Sequence, residues 1–104
     1  MEEHKKVKTA KETFSSANIL SVEVGTNTPM GGDAGHGGKT VFRLKNEGAT
    51  AWTLKCEDEY GKKTEIEQPK EIAIELYGDT EAVTFINALL FAASTLNNQN
   101  RGFR

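Results

Sequence analysis

Between Gly25 and Gly38 the chain packs six of its ten glycines into fourteen residues, with a segment of alternating apolar and polar residues on each side. Glycine lets the backbone take positive φ and come close to another group, and successive amides in such turns can form a concavity that holds an anion. Ordering so much glycine costs conformational entropy, which a ligand or partner contact would have to offset. The plain alternative is a floppy hairpin tip that binds nothing. Side chains favour a site: Thr26, Asn27, Thr28, Asp33 and His36 add donors and acceptors within the loop, and Lys39 and Arg43 follow on the next segment, where alternation can aim both at one place. The candidate ligand contacts are therefore Thr26, Asn27, Asp33 and His36, the backbone at Gly31, Gly32, Gly35, Gly37 and Gly38, and the cations Lys39 and Arg43.

The flanks define the fold. Leu20, Val22 and Val24 alternate with Ser21 and Glu23, which predicts a half-buried strand before the loop. After it, Phe42 and Leu44 face one way and Lys39, Val41, Arg43 and Lys45 the other, a second strand that closes a wide hairpin. Trp52, Leu54 and Cys56 repeat the pattern with their side chains inward, Tyr60-Gly-Lys-Lys is a turn, and a short strand over Thr64 to Glu67 stops before Pro69. Ile72, Ile74 and Leu76 mark a last strand that ends at Tyr77-Gly78-Asp79. Residues 1–17 are polar, with Val7, Ala10 and Phe14 at roughly helical spacing, and are expected to be an arm or a short frayed helix.

The spacing predicts a helix from Thr80 to about Asn97, with Asp79 as its cap and Asp79 and Glu81 at its positive end. At ~100° per residue, Val83, Phe85, Ile86, Leu89, Leu90, Ala93 and Leu96 cover close to half its circumference, and Phe91 falls outside even that arc. One sheet needs a narrower stripe, so part of this surface is expected to meet another subunit, unless the N-terminal arm covers it. The expected architecture is α+β: an antiparallel sheet of four to five strands with a long C-terminal helix, in one domain over 18–97, between the arm and a tail over 98–104.

Composition narrows the function. A net charge of -2 argues against a coat for DNA or RNA, which needs a basic field, but allows a small anion. Cys56 is the single cysteine, so no intrachain disulfide is possible and a reducing compartment, the cytoplasm, is expected. The first eleven residues lack the apolar core of a signal peptide, and the apolar run Ala82 to Ala93 is too short to span a bilayer.

Several catalytic readings fail on spacing. Gly38-Lys39-Thr40 ends like a nucleotide-triphosphatase loop, but Asp33 stands where the first glycine of that motif belongs, and a strand follows where a helix is required. Asp33 and His36 lack a second ligand pair for a metal, and His4-Lys-Lys and His36-Gly-Gly are too unlike to form a paired-histidine phosphodiesterase. His36 as a lone general base remains an alternative to a polar loop residue. Tyr77, opposite Leu76 at a strand end, is a candidate to stack on a base or to pack on the helix. Arg101, Phe103 and Arg104 form a basic-aromatic tail that is either disordered or reaches a neighbour's site.

The run Val22-Glu-Val-Gly-Thr-Asn27, followed by Gly31-Gly-Asp-Ala-Gly-His-Gly-Gly-Lys-Thr-Val-Phe-Arg-Leu44, resembles the phage-encoded sponges that sequester cyclic dinucleotide signals of the bacterial CBASS defence system. The likeness spans residues 19 to 44 and, more loosely, the helix that follows Leu76-Tyr-Gly-Asp. It implies tight, non-hydrolytic binding of a molecule such as 3′,3′-cGAMP by a homo-oligomer, a tetramer, in the host cytoplasm, with no cofactor, no nucleic-acid polymer and no membrane. A ligand with two phosphates and near two-fold symmetry suits a homodimeric cleft that offers the same loop and cations twice. Two alternatives stay open: an interaction module that engages a host protein, and a small phosphodiester hydrolase that uses His36.

Overall fold

Thr9–Ser15 carries Thr9, Thr13 and Phe14, residues that suit a pleated surface, and it forms β1. The computed structural model describes residues 7–100. The expectation of an arm or frayed helix over 1–17 is thus corrected for Thr9–Ser15, while its first six residues, with His4, and Arg101, Phe103 and Arg104 of the tail lie outside the described residues. β1 is a strand because it pairs antiparallel with β2, Ile19–Thr26, in a register that sets Ala10 opposite Val24, Glu12 opposite Val22 and Phe14 opposite Leu20. That ladder supplies hydrogen bonds that a lone polar segment lacks, so pairing outweighs weak apolar patterning.

β3 is Lys39–Gly48, β4 Thr53–Glu57, β5 Lys63–Glu67 and β6 Glu71–Tyr77; α1, Asp79–Gln99, ends the described chain. The fold is α+β: a four-stranded antiparallel sheet in the order β1-β2-β3-β6, a separate β4-β5 hairpin and one long C-terminal helix. In the hairpin Leu54 faces Ile66, Lys55 faces Glu65 and Glu57 faces Lys63, so opposite charges oppose each other across the strands.

The chain groups into two compact units, one of Val7, Thr26–Thr40 and the chain from Leu76 onward, the other of Lys8–Gly25 with Val41–Glu75. In the second, one sheet face is polar. Thr9 donates to Glu23 at 2.6 Å, Ser21 donates to Glu47 at 2.7 Å, and Arg43 pairs with Glu23 at 3.6 Å. Lys11, Ser21, Glu23, Arg43, Lys45 and Glu71 line a cavity of about 160 Å³ on that face. Ser21 is buried there and its hydroxyl holds the Glu47 carboxyl below the usual range. The alternate residues turn the other way: Ala10, Glu12 and Phe14 of β1 with their partners Val24, Val22 and Leu20 of β2, an apolar set interrupted by the Glu12 carboxylate.

Two inward assignments change. Val41, expected on the outer face, is buried, whereas Phe42 and Leu44 are half-buried. Cys56 is exposed, and of the β4-β5 hairpin only Leu54 is half-buried, so alternation there does not separate an inner face from an outer one. Trp52 precedes β4 and holds the chain beyond β5: its indole Nε1 donates to the Pro69 carbonyl at 2.7 Å, and the Gln68 amide donates to the Trp52 carbonyl at 3.0 Å. Among the described residues no helix is long and apolar enough to cross a membrane.

Candidate functional site

The glycine loop and the first turn of α1 belong to the same unit, and each satisfies the other's backbone. A helix start leaves four amides unpaired and carries partial positive charge. Asp79 was expected to cap α1 itself, but the N-cap is Gly78, at φ 135°, and makes no side-chain cap bond. The Asp79 carboxylate instead accepts hydrogen bonds from the loop: from Met30 N at 3.0 Å, from Gly31 N at 2.6 Å and from Gly38 N at 3.0 Å. Glu81 accepts from Ala34 N at 3.0 Å.

The exchange runs both ways. Asp33, in the loop, accepts from the Thr80 amide at 2.8 Å and also from the Thr80 hydroxyl, so the helix start is capped by a residue 47 positions upstream. Backbone bonds complete the seam: Asp79 N donates to Gly32 O, Gly35 N to Tyr77 O and Gly78 N to Gly38 O, each at 2.8 Å. Where a ligand's anion was expected, the loop amides of Met30, Gly31 and Gly38 surround the chain's own Asp79 carboxylate.

Two glycines, one in the loop and one at the start of α1, are required where the chain passes close to itself. Gly37 is buried at φ 97°, and a Cβ there would lie 2.5 Å from the Gly32 carbonyl oxygen. Gly78 turns the chain from β6 into α1 at φ 135°, where a Cβ would collide with Glu81 Oε1. That oxygen is buried and has no hydrogen-bond partner among the described residues.

The electrostatics follow from the bonds. The Gly38 amide, then those of Met30, Gly31 and Gly32, outweigh burial and hold the Asp79 carboxyl below its ordinary value. Asp33 is lowered by the Thr80 hydroxyl and then by the Thr80 amide, against burial and the nearby Asp79 charge. Both are carboxylates stabilised as anions by donors, and neither is poised to carry a proton near neutrality.

At the base of the loop, Asn27 and Lys39 exchange bonds: Asn27 N donates to Lys39 O at 3.1 Å and Lys39 N to Asn27 Oδ1 at 2.7 Å. The Thr26 and Thr40 hydroxyls meet at 2.8 Å. These residues close the hairpin, so Thr26 and Asn27 are occupied with the loop's own shape. The Lys39 ammonium stands 5.8 Å from the centre of the Tyr77 ring, within cation–π reach. His36 is exposed, its amide bonded to the Asp33 carbonyl at 3.1 Å, and Met30 and Tyr77 are also exposed.

The structure thus gathers Lys39, Tyr77 and the glycine loop in one unit. Arg43 falls in the other, where Glu23 partners it. Gly31, Asp33 and Gly38 have their principal polar groups bound to Asp79 or Thr80. Sequence reasoning missed Asp79, Thr80 and Glu81 as the loop's partners, because nothing local ties them to residues more than forty positions away. Among the described residues no three His, Cys, Asp or Glu side chains cluster as a metal site. No protein-family model, curated protein or solved structure matches the chain.

Proposed function

We propose that this chain is a non-catalytic binding protein, a homo-oligomer that sequesters a cyclic dinucleotide such as 3′,3′-cGAMP in the host cytoplasm and so inhibits CBASS defence. The resemblance of residues 19–44 to the sponge family supplies the ligand class. The observation that carries the reading is the pairing of Lys39 with Tyr77 beneath an ordered glycine loop. An ammonium and an aromatic ring side by side offer a phosphate partner and a stacking surface for a base.

The network around Asp79 changes the expected recognition. Amides of Met30, Gly31, Ala34 and Gly38 donate to Asp79 and Glu81, so phosphate contact passes from main-chain nitrogens to side chains, with Lys39 supplying the positive charge and the exposed His36 ring a polar contact beside it. The loop's role becomes that of a platform, with the carboxylate bonds holding Lys39 and Tyr77 in place before a ligand arrives. Preorganisation of this kind lowers the entropic cost of binding. Sequestration then requires only affinity and abundance.

Oligomerisation is supported by α1, where Leu90 is 64% exposed, Phe91 72% and Leu96 64%. The same surface favours the second reading, an interaction module for a host protein. Titration calorimetry against a panel of cyclic dinucleotides separates the two. Binding at micromolar concentration or tighter, with the nucleotide recovered intact, fits the sponge; no heat at that concentration refutes it and favours a protein partner. Recovery of a cleaved nucleotide points to hydrolysis through His36.

A further inference from the structure

The β4-β5 hairpin lies wholly within the second unit, and its strands pair with each other and with no other described strand. Each outer edge of the hairpin therefore carries main-chain donors and acceptors with no strand beside them. A two-stranded sheet is marginal by itself and gains from a further strand.

Which groups point outward follows from the bonds at the two ends of the hairpin. Asp58 N donates to Lys62 O at 2.9 Å, and Gln68 N donates to Trp52 O at 3.0 Å. Both pairs continue the register in which Leu54 faces Ile66 and Cys56 faces Thr64. Bonded and non-bonded pairs alternate along an antiparallel ladder. Leu54 and Cys56 thus turn their amides and carbonyls to β5, while Thr53, Lys55 and Glu57 turn theirs to the open side of β4. On β5 the open side belongs to Lys63, Glu65 and Glu67.

Lysine and glutamate along an edge keep foreign strands away. The order on β4, however, matches itself. With a two-fold axis at Cys56, Lys55 of each copy faces Glu57 of the other, and the outward main-chain groups of both residues come into bonding position. Moving the axis to Lys55 opposes two lysines, and moving it to Glu57 opposes two glutamates, so charge selects the register centred on Cys56. The β5 edge is the poorer surface, because Glu65 and Glu67 outweigh Lys63 and two such rows repel.

Resting on the reading that the chain is a homo-oligomer, we infer that β4 of one copy pairs antiparallel with β4 of a second copy about a two-fold axis at Cys56, joining the two hairpins into one continuous sheet. The pairing makes about four main-chain hydrogen bonds, shared between the two Lys55–Glu57 pairs. A five-residue edge buries far less than the ~800 Å² per partner of a stable complex, so the contact adds to an assembly that is held elsewhere as well. It belongs to the unit that does not contain α1, and is therefore a second surface for self-association.

Cys56 reports on the contact directly. At the centre of the register its Cα lies about 4.5 Å from its counterpart, so a short bis-maleimide added without nucleotide is expected to give covalent dimer. Charge reversal supplies the control. One variant combines Lys55→Glu with Glu65→Lys and a second combines Glu57→Lys with Lys63→Glu; each keeps opposite charges across its own hairpin and sets like charges at the contact. Either variant alone is expected to lose the covalent dimer, and an equal mixture of the two to recover it as the mixed species. An undiminished yield in the single variants, or no recovery on mixing, overturns the inference. Cross-linking through Thr64→Cys in a Cys56→Ser background, with none through Cys56 in the parent, overturns it in favour of the β5 edge. Sedimentation velocity and calorimetry on the same samples keep the two ideas apart. An assembled parent whose Cys56 does not cross-link refutes only the hairpin contact, a monomer at every concentration refutes the homo-oligomer with it, and a cross-linked assembly that binds no cyclic dinucleotide refutes only the sponge.

Discussion

Replacing Leu90 by alanine isolates the contribution of the exposed helix surface to assembly. Full burial of a leucine side chain is worth about 1.5–3 kcal/mol. Leu90 is 64% exposed in the single chain, so a partner that covers it gains roughly 1–2 kcal/mol per copy. A two-fold assembly contains the contact twice, for about 2–4 kcal/mol in all, or a dissociation constant raised some 30- to 700-fold at about 1.4 kcal/mol per decade. Alanine is a better helix former than leucine and Leu90 contributes little inside its own chain, so α1 itself is not weakened. Sedimentation velocity over a concentration series reads the shift, with circular dichroism as the check on helix content. If Leu90→Ala assembles as the parent does at every concentration, no copy covers this face and the account of α1 is wrong.

Three further outcomes follow from the loop. Gly37→Ala, at φ 97° and facing the Gly32 carbonyl, is expected to cost about 1–3 kcal/mol of stability, read in chemical denaturation; no change in midpoint contradicts the tight approach. Asp79→Asn keeps the shape but replaces one acceptor oxygen with a donor facing amides, so hydrogen exchange at Met30, Gly31 and Gly38 is expected to quicken while the β1–β2 ladder stays protected. The Asp79 and Asp33 carboxyls are both lowered on folding, so their contribution is fully present above the unfolded value of about 3.9 and is lost as pH falls through the lower folded values. Loop resonances followed by NMR are therefore expected to hold steady from neutral pH to about 4 and to change below it; a transition between pH 5 and 7 would assign the control to another group.

Elements with a strong internal period were legible in the sequence: β2, β3 and β6 by alternation, α1 by its helical spacing. β1 was not, since Lys11 and Glu12 dilute its pattern and its strand character comes from pairing with β2, a partner no local window contains. The depth of Val41 relative to Phe42 was illegible for a related reason: alternation divides a strand into two faces without saying which is covered. At the loop, glycine density pointed to amides around a ligand's anion, whereas the amides of Met30, Gly31 and Gly38 take a carboxylate of the chain itself. That the anion is Asp79 depends on a contact across more than forty residues, and Asp79 beside a helix start looks locally like an ordinary cap. Arg43 alternates with Lys39 on paper, yet Glu23 on the neighbouring strand engages it.

The proposed function turns on whether a cyclic dinucleotide meets Lys39 and Tyr77. A crystal structure of the protein with 3′,3′-cGAMP is the direct measurement. The account predicts a phosphate within hydrogen-bond distance of Lys39 Nζ, a base against the Tyr77 ring, and Asp79 still held by the amides of Met30, Gly31 and Gly38. A nucleotide bound on another surface, or one whose phosphate has displaced Asp79 from those amides, would contradict it.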